Sequence, residues 1–295
     1  MKDKFCILCK FSKLDIIASR VRDSDKHRVI KCTKCGHVQL SPIPTLDQDK
    51  KFYDKNLQDR NINYHGSIDE NRKKSVDDTI RRFDLIRKLA PKNVKILEIG
   101  SGHGFFLELM YQKGYNITGI EISKEKRKIS KKVTSAKVLD IDINTQIPHV
   151  NDFDIIVMFH VLEHIINPID FLKKIKKLLA SKGKIIVEVP NYDDFQLKLN
   201  KYYTAFYWQR AHIHYFTPQV LKEIFNQADL RSKIIGIQRY SIENMFNWKL
   251  NNKPQMNNPL FNLTSEYEWI EKPYKRHLEK NLISDTITAI GDLKK

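Results

Sequence analysis

The 295-residue sequence lacks any apolar run of roughly 18 residues, the length that a membrane-spanning helix needs. Its first residues, MKDKFCILCK, contain too short an apolar stretch for a secretory signal peptide. Cysteine is absent after residue 35, and acidic residues are few beside basic ones. We therefore expect a cytoplasmic protein with no membrane span. Its hydrophobic content of 41% is enough for one large domain and a small one.

The shortage of acidic residues leaves the chain strongly positive. Lys and Arg number 52 against 35 Asp and Glu, which gives a net charge of +17. Such an excess is typical of proteins that bind nucleic acid or anionic surfaces. Here the basic residues are spread over most predicted helices, and a chain rich in Lys, Ile and Asn gains charge from composition alone. Nucleic acid is therefore the weaker of the partners we consider.

All the cysteines lie near the N-terminus. Cys6, Cys9, Cys32 and Cys35 form two C-x-x-C pairs separated by 22 residues. In a cytoplasmic chain this spacing favours a site of four thiolates for Zn²⁺ over disulfides. A redox motif would need one C-x-x-C at a helix start, whereas two pairs occur here. We predict a zinc ribbon over residues 1–45 with a structural ion, because a closed site of four cysteines has no open position for catalysis.

Residues 46–90 are predicted to form a linker and a leading helix. The linker contains aromatic residues in a polar stretch, among them Phe52 and Tyr64, which we expect to pack on the main domain. Apolar residues at positions 76, 80, 83, 86 and 89 have helical spacing and predict one buried helix face. Pro91 ends this helix.

From residue 91 to the end, strands and helices alternate, which predicts right-handed crossovers and a parallel sheet. A helix is predicted over Pro168–Leu179, with a turn at Ser181–Gly183. Residues 243–280 follow no regular pattern and are interpreted as an insertion on the ligand side of the sheet. The predicted strands are Val94–Ile99, Tyr115–Ile122, Ala136–Ile141, Asp154–Phe159, Lys184–Val189, Ser232–Ile242 and Ser284–Leu293.

The stretch ILEIGSGHG joins the first of these strands to a predicted helix, Phe105–Gln112. Gly100, Gly102 and Gly104 allow unusual backbone dihedrals and the close approach of a ligand. The free N–H groups of the helix N-terminus lie beside them. We predict a cofactor site that includes these glycines, Ser101 and Glu98, whose carboxylate is placed to hold the loop or an ammonium group.

Carboxylates also end the second and third strands. Glu121 is placed to accept hydrogen bonds from two ribose hydroxyls, and Asp140 is placed to meet an adenine amino group. Ile122 and Ile141, which follow them, complete the predicted cofactor-binding residues.

With these residues in place, the sequence resembles the class I S-adenosylmethionine-dependent methyltransferases. The matching stretches are LEIGSGHG, GIEIS, FDIIVMFHVLEH and KIIVEVPN. Together with the cysteines and the H-x-H-Y-F-T-P stretch, they are similar to a subgroup with an N-terminal zinc ribbon, which often modifies sugars, nucleotide sugars or other small metabolites. The resemblance implies a Rossmann-like α/β fold: a seven-stranded, mostly parallel sheet with helices on both faces and an antiparallel last strand. It also implies S-adenosylmethionine as the cofactor.

Methyl transfer to a hydroxyl or carbon needs a base, and four histidines follow the fourth and fifth strands: His160, His164, His212 and His214. We prefer His212, with His160 second. Sugar C-methyltransferases of the subgroup carry a Glu-His pair where Ala211 and His212 stand here. Because the carboxylate is missing at Ala211, O-methylation fits better than C-methylation.

The sequence thus leads to one preferred function and several alternatives. The preferred function is methyl transfer to a hydroxyl of a small acceptor, a sugar or a nucleotide-sugar metabolite. The alternatives are a sugar C-methyltransferase, an RNA methyltransferase that uses the ribbon and the basic surface, and a cofactor-binding scaffold that has lost catalysis. Glu163 is interpreted as structural.

Overall fold

A computed structural model of the chain describes residues 5–54, 67–143, 146, 148, 152–253 and 268–294. Its N-terminal part is a small antiparallel sheet of three strands, β1 (Leu14–Ala18), β2 (Arg28–Cys32) and β3 (Val38–Ser41). The cysteine pairs stand in the turns at one end of this sheet, before β1 and between β2 and β3. The predicted ribbon is therefore a pair of hairpin-like turns held by a short sheet.

The remaining elements alternate as the pattern predicts. Two helices lead into the main sheet, and most later strands are followed by a helix. In chain order the elements are α1 (Leu46–Asp54), α2 (Ile68–Leu89), β4 (Lys95–Ile99), α3 (Phe105–Gln112), β5 (Asn116–Ile120), α4 (Lys124–Val133), β6 (Lys137–Leu139), β7 (Phe153–Phe159), α5 (Pro168–Lys176), β8 (Leu179–Pro190), α6 (Phe195–Leu199), α7 (Lys201–Tyr207), β9 (His214–Tyr215), α8 (Pro218–Gln227), β10 (Leu230–Ile237), α9 (Ile242–Asn251), α10 (Glu268–Lys280) and β11 (Thr286–Leu293).

The main sheet has seven strands in the order β10-β11-β8-β7-β4-β5-β6. Strands β4 to β8 pair in parallel, and β11 runs antiparallel to both β8 and β10. Apolar side chains are buried on both faces, where helices cover the sheet. The structure confirms the seven-stranded, mostly parallel Rossmann-like sheet with an antiparallel last strand.

Strands β4, β5, β6, β7 and β11 begin and end within two residues of the predicted bounds. The helix expected over Pro168–Leu179 instead ends at Lys176, and β8 already begins at Leu179. Ser181 and Gly183 were interpreted as a turn, but they lie inside this strand. A Cβ at Gly183 would lie 2.8 Å from the carbonyl oxygen of Phe153, so this glycine serves close strand packing rather than a turn.

The predicted sixth strand is also shorter than expected. It ends at Ile237, and residue Ile242 begins helix α9 with Ser241 as its N-cap, whose side chain accepts from the N–H of Asn244. The expected irregular insertion at 243–280 therefore contains two helices, α9 and α10. Its residues 254–267 lie outside the described part of the chain. Because β10 is parallel to β4, α9 follows the carboxyl edge of the sheet, which is the ligand side expected for this insertion.

The leading segment is partly helical before α2. Phe52 of α1 is buried under the Arg210 guanidinium, 4.1 Å from the ring centre, which agrees with the expected packing. Tyr64 lies outside the described residues. In α2, Ile86 is fully buried, whereas Val76 and Ile80 are exposed, so only the second half of the predicted apolar face packs on the sheet.

The ribbon and the main domain share a sheet. Strand β9 adds to the edge of β3, with Val38 opposite Tyr215 and Gln39 opposite His214. Tyr215 and Trp208 complete the apolar interior of the ribbon. In the part of the chain that the structure describes, no helix has the length and apolar character to cross a membrane.

Candidate functional site

The four cysteines of the ribbon come together. The Sγ atoms of Cys6 and Cys35 lie 3.6 Å apart, and those of Cys9 and Cys32 lie 3.5 Å apart. Ligands about 2.3 Å from a tetrahedral zinc ion lie about 3.8 Å from one another, close to these values. The four thiols form no disulfide and are grouped as one candidate metal site. The donor set therefore fits a structural Zn²⁺.

The two knuckles have matching backbones. Gly36 has a φ of 72° and donates its N–H to the carbonyl of Cys32 at 3.0 Å. Lys10 has a φ of 60° and donates to the carbonyl of Cys6 at 2.9 Å. Lys10 thus takes the same left-handed conformation that glycine adopts readily.

In the glycine loop after β4, one of the three glycines has free space beside its backbone among the described residues. All three glycines have positive φ, with values of 76°, 56° and 83° for Gly100, Gly102 and Gly104. A Cβ at Gly100 would lie 2.5 Å from Val161 Cγ2, and a Cβ at Gly104 would lie 3.2 Å from the Cα of Ser130. At Gly102 no atom of the described residues, its two chain neighbours aside, lies within 4 Å of that position. This glycine therefore has space for a ligand beside the backbone.

Glu121, at the end of β5, holds the glycine loop. Its Oε2 accepts the N–H of Gly102 at 2.7 Å, and its Oε1 accepts the N–H of Ser123 at 2.7 Å. Burial raises the pKa of this carboxyl despite these hydrogen bonds. Each carboxylate oxygen has a second lone pair, so ribose hydroxyls have acceptors here without the loop being released.

The Asp140 carboxylate accepts a hydrogen bond from an arginine that the sequence did not single out. Arg127 of α4 is buried, and its guanidinium donates to the carbonyls of Glu121 and Ile122 and to Asp140 Oδ2 at 2.6 Å. The Asp140 side chain is exposed. Arg127 therefore joins the backbone at the end of β5, at Glu121, to the Asp140 carboxylate.

Two buried polar groups lie under the loop. Glu98 Oε2 and Ser101 Oγ are buried, and neither has a hydrogen-bond partner among the described residues. Burial raises the pKa of Glu98 to about 8. A cationic ammonium group beside Glu98 would favour its ionised form, so these residues fit the methionine part of S-adenosylmethionine. Ile122 is exposed and Ile141 is partly buried against the core.

Three of the four predicted histidines surround one carboxylate. The loop after β7 forms a 3₁₀ turn over Leu162–His164, which places Glu163 inside the protein with 1% of its area exposed. Oε1 of Glu163 lies 3.4 Å from His160 Nδ1, 3.9 Å from His164 Nε2 and 4.0 Å from His212 Nε2. We call Glu163, His160, His164 and His212 the histidine cluster.

Neither carboxylate oxygen of Glu163 has a hydrogen-bond partner among the described residues. Burial alone would raise the pKa of Glu163. The neighbouring histidines, of which His160 has the largest effect, outweigh burial and lower the pKa to about 2. The side chain is therefore a buried anion that faces imidazole rings. An arrangement of this kind suits a proton acceptor with a carboxylate partner or a bound cation.

His164 and His212 have fixed surroundings. Nδ1 of His164 lies 2.7 Å from the carbonyl oxygen of Ala211, so it must carry the proton. The Gln209 amide, held through its oxygen by Arg22 at 2.8 Å, lies 2.9 Å from His212 Nε2. Burial lowers the pKa of His212 to about 3. The His212 ring is therefore neutral at neutral pH unless a ligand changes its surroundings.

His214 differs from the other three. Its Nδ1 lies 3.0 Å from Nε2 of His37, a residue of the ribbon, and its Nε2 lies 2.9 Å from the carbonyl oxygen of Ile165. His37 Nδ1 in turn lies 3.8 Å from Cys6 Sγ. His214 therefore joins the ribbon to the loop after β7 and is not part of the histidine cluster.

A second buried glutamate lies beside the cluster. Glu188 of β8 accepts from Arg81 at 2.7 Å and from Arg82 at 2.6 Å. Burial opposes ionisation of Glu188. The two guanidinium groups, with the charge of Arg82 as the largest single cause, nevertheless hold the pKa of Glu188 well below its usual range. His160 Nε2 lies 3.6 Å from Glu188 and 3.2 Å from Arg239 Nη1. His160 thus contacts both buried acids.

Arg239 also lines a cavity of about 660 Å³ beside α9 and α10. The cavity wall is polar, with hydroxyl, amide and charged side chains and one aromatic ring, that of Tyr240. Arg239 contacts both this cavity and His160, so one side chain joins the cavity wall to the histidine cluster.

Comparison with known proteins agrees with this geometry. The profile of a protein family described as a methyltransferase domain matches residues 68–232, more than half of the chain. The chain belongs to this methyltransferase family. With its seven-stranded sheet and glycine loop, it is a class I S-adenosylmethionine-dependent methyltransferase.

Curated relatives include proteins named ubiquinone biosynthesis O-methyltransferase. That of Pelagibacter ubique is 33% identical over 105 residues, which are 34% of this chain and 43% of the relative. That of Actinobacillus pleuropneumoniae (serotype 7, strain AP76) is 29% identical over 122 residues, 37% of this chain and 52% of the relative. This methyltransferase thus spans about half the length of the curated relatives it matches.

Solved structures share the fold. A magnesium protoporphyrin IX methyltransferase from Synechocystis, with bound SAH, is 10% identical with a TM-score of 0.52, and the match covers 83% of this chain and 97% of that one. An S-adenosylmethionine-dependent methyltransferase from Thermotoga maritima is 17% identical with a TM-score of 0.50, covering 77% and 96%.

Proposed function

We propose that this methyltransferase transfers a methyl group from S-adenosylmethionine to a hydroxyl of a small, polar, sugar-derived acceptor. The observation that carries the proposal is the contact between two loops. Val161, next to His160, lies against Gly100 of the glycine loop, so the cofactor loop and the histidine cluster adjoin at the carboxyl edge of the sheet. When bound, the cofactor supplies a methyl group already activated on a sulfonium.

The cofactor site proposed here consists of Glu98, Gly100, Ser101, Gly102, Gly104, Glu121, Ile122, Asp140 and Ile141. The open side of Gly102 and the buried, unpartnered oxygens of Glu98 and Ser101 support this assignment. Glu98 would face the ammonium group, Glu121 the ribose and Asp140 the adenine. Most of the rate of methyl transfer comes from holding the acceptor in line and excluding water.

The proton of the acceptor hydroxyl goes to a histidine, and we propose His212 first and His160 second. A buried base with a pKa of about 3 is weak on its own. Glu163, 4.0 Å from His212 Nε2, would stabilise the imidazolium that forms as the oxygen attacks the methyl carbon. Glu163 thus supplies the carboxylate that is missing at Ala211. This role differs from the structural one that the sequence indicated.

Two observations support a polar hydroxyl acceptor. The relatives named O-methyltransferases favour oxygen over carbon or nitrogen. The cavity that Arg239 links to His160 is lined by Arg239, Ser241, Asn244 and other polar side chains, which suit a sugar or nucleotide sugar better than an apolar acceptor. We further propose that the chain has three parts. Residues 1–45 form a ribbon with structural zinc, residues 46–90 form a linker and leading helix, and residues 91–295 form the catalytic domain.

The test combines binding and turnover. His212→Ala should lower turnover by about 100-fold or more, the contribution of a general base, while calorimetry finds unchanged affinity for S-adenosylmethionine. His277→Ala, at an exposed position on α10, is the matched control. Retained turnover in His212→Ala would contradict the assignment of the base.

The acceptor class is tested with a panel of nucleotide sugars, free sugars and catechols, together with a metabolite extract, using labelled S-adenosylmethionine. We expect label on an oxygen of a sugar-derived compound. Label on catechols alone would overturn the polar acceptor, and label on RNA would favour the alternative function.

A further inference from the structure

The histidine cluster has the composition of a metal site that is separate from the ribbon. Glu163, His164 and His212 each offer one donor atom, and these three atoms lie within 4.8 Å of one another. We propose that Glu163, His164 and His212 bind a divalent transition-metal ion. The proposal concerns metal binding itself, and only its catalytic consequence rests on the proposed function.

The distances suit a single ion. Imidazole nitrogens and carboxylate oxygens lie about 2.1 Å from Zn²⁺ and similar ions, so two ligands of one ion are separated by at most about 4.2 Å. The distances from Glu163 Oε1 to His164 Nε2 and to His212 Nε2 are 3.9 Å and 4.0 Å. Because neighbouring ligands of a tetrahedral ion lie about 3.4 Å apart, binding requires the three side chains to move closer together, and the third pair, between the two imidazoles, is within 4.8 Å.

The charge distribution also suits a cation. Glu163 is 1% exposed, and its two oxygens are without hydrogen-bond partners among the described residues. A buried carboxylate in this state is costly unless a cation or donors compensate it. His160, at 3.4 Å, is the nearest of the imidazoles. A bound ion would neutralise the carboxylate directly.

The outer contacts follow the pattern seen around metal-bound histidines. Such a histidine usually donates its other ring N–H to a backbone carbonyl or a carboxylate, which fixes the ring and directs the ligating lone pair at the ion. His164 Nδ1 donates to the carbonyl of Ala211 at 2.7 Å, so Nε2 carries the lone pair on the side of Glu163. At His212, the ion would displace the Gln209 amide from Nε2.

Two imidazoles and one carboxylate suit Zn²⁺, Fe²⁺, Co²⁺ or Mn²⁺, and three protein ligands leave positions open for other oxygen donors. Under the proposed function, one such donor is the acceptor hydroxyl. His212 would then be a ligand, and His160 would be the remaining candidate for the base.

The test uses the full chain, loaded with Co²⁺ and measured for metal content and absorption. Thiolate ligands of the ribbon give strong charge-transfer bands, whereas a site of nitrogen and oxygen gives only weak ligand-field bands. We expect metal in excess of the ribbon's single ion, and we expect Glu163→Gln and His212→Ala to lower the affinity of this second ion by at least about 100-fold. His277→Ala should bind as the unaltered chain does.

A second measurement does not depend on the variants folding. Pulsed EPR of the unaltered chain loaded with Mn²⁺, which avoids thiolates, should show coupling to imidazole nitrogens. A chain that binds metal only at its cysteines, or Mn²⁺ spectra without nitrogen coupling, would overturn the proposal and leave methyl transfer unaffected. A loaded second site in a protein without methyl transfer would support the metal site and overturn the proposed function.

Discussion

Two buried glutamates at the carboxyl edge of the sheet have opposite surroundings. Glu188 is fully buried and receives hydrogen bonds from Arg81 and Arg82. Glu163 is equally buried, but it faces three imidazoles at 3.4–4.0 Å, and its oxygens have no hydrogen-bond partner in the described part of the chain. His160 lies between them and contacts both.

The difference separates an acid that stabilises the fold from an acid available for chemistry. The two arginines of α2 compensate Glu188 completely and fix this helix against the sheet. Glu163 has imidazoles at 3.4–4.0 Å as its neighbours and no guanidinium hydrogen bond among the described residues, so its carboxylate remains available to a proton or a cation. Substitutions of the two residues should therefore have different effects.

The largest effect on stability is expected at Glu188. Glu188→Gln removes the charge that compensates two guanidinium groups, and breaking a buried ion pair costs about 3–5 kcal/mol. Urea unfolding should show this loss, and Glu163→Gln should show a smaller one, because the neighbours of Glu163 are imidazoles at 3.4–4.0 Å rather than hydrogen-bonded guanidinium groups. Equal losses in the two variants would remove the distinction.

The largest effect on activity is expected at Glu163. Glu163→Gln should lower kcat by about 100-fold, because the imidazolium or the metal ion loses its anionic partner. The affinity for S-adenosylmethionine, measured by calorimetry, should stay as it is. Glu223→Gln, on the exposed side of α8, is the matched control. If kcat is retained in Glu163→Gln, the buried carboxylate is structural.

Glu98 should make the free energy of unfolding depend on pH with a sign opposite to that expected for Glu163 and Glu188. Burial raises its pKa in the folded state from 4.5 to about 8, so its stabilising contribution is present below 4.5 and lost as pH rises to 8. The slope is at most about 1.4 kcal/mol per pH unit. For Glu163, the lowered pKa means that stability is lost as pH falls towards 2. Urea unfolding across pH should show a flatter curve for Glu98→Gln, and an unchanged curve would contradict the shift.

The smallest effect is expected at Asp140, an exposed acid. Its ion pair with Arg127 should contribute less than about 1 kcal/mol to stability, as exposed pairs do. Asp140→Asn should raise the Kd for S-adenosylmethionine by up to about 10-fold if the side chain meets the adenine, the value of one hydrogen bond. An unchanged Kd would remove Asp140 from the cofactor site.

Local sequence patterns predicted most of the strands and helices of this molecule. Helix α3 begins and ends where expected, because Gly104 and the apolar spacing of Phe105–Gln112 are local signals. The cysteine spacing likewise indicated one cluster, which the structure brings together. The start of β8 was wrong because Ser181 and Gly183 carry turn chemistry inside a strand.

Long-range partners were not predictable in the same way. Arg127 is hidden in the sequence among the lysines of α4, and only the fold shows that it is the buried one. Glu188 did carry a signal, since a single charge in the apolar run IIVEV requires a partner. The histidine cluster joins residues from two loops 48 positions apart (His164 and His212), which residue spacing alone does not reveal.

The pairing of β3 with β9 has a consequence for the order of folding. His37 and His214 are 177 residues apart in the chain, whereas the cysteines and the strands of the ribbon are near one another. Closing so long a loop is entropically costly, and contacts distant in sequence form slowly. We therefore expect the ribbon to fold early around its four cysteines and to dock last. Hydrogen exchange during refolding should find the β2–β3 amides protected well before those of β9.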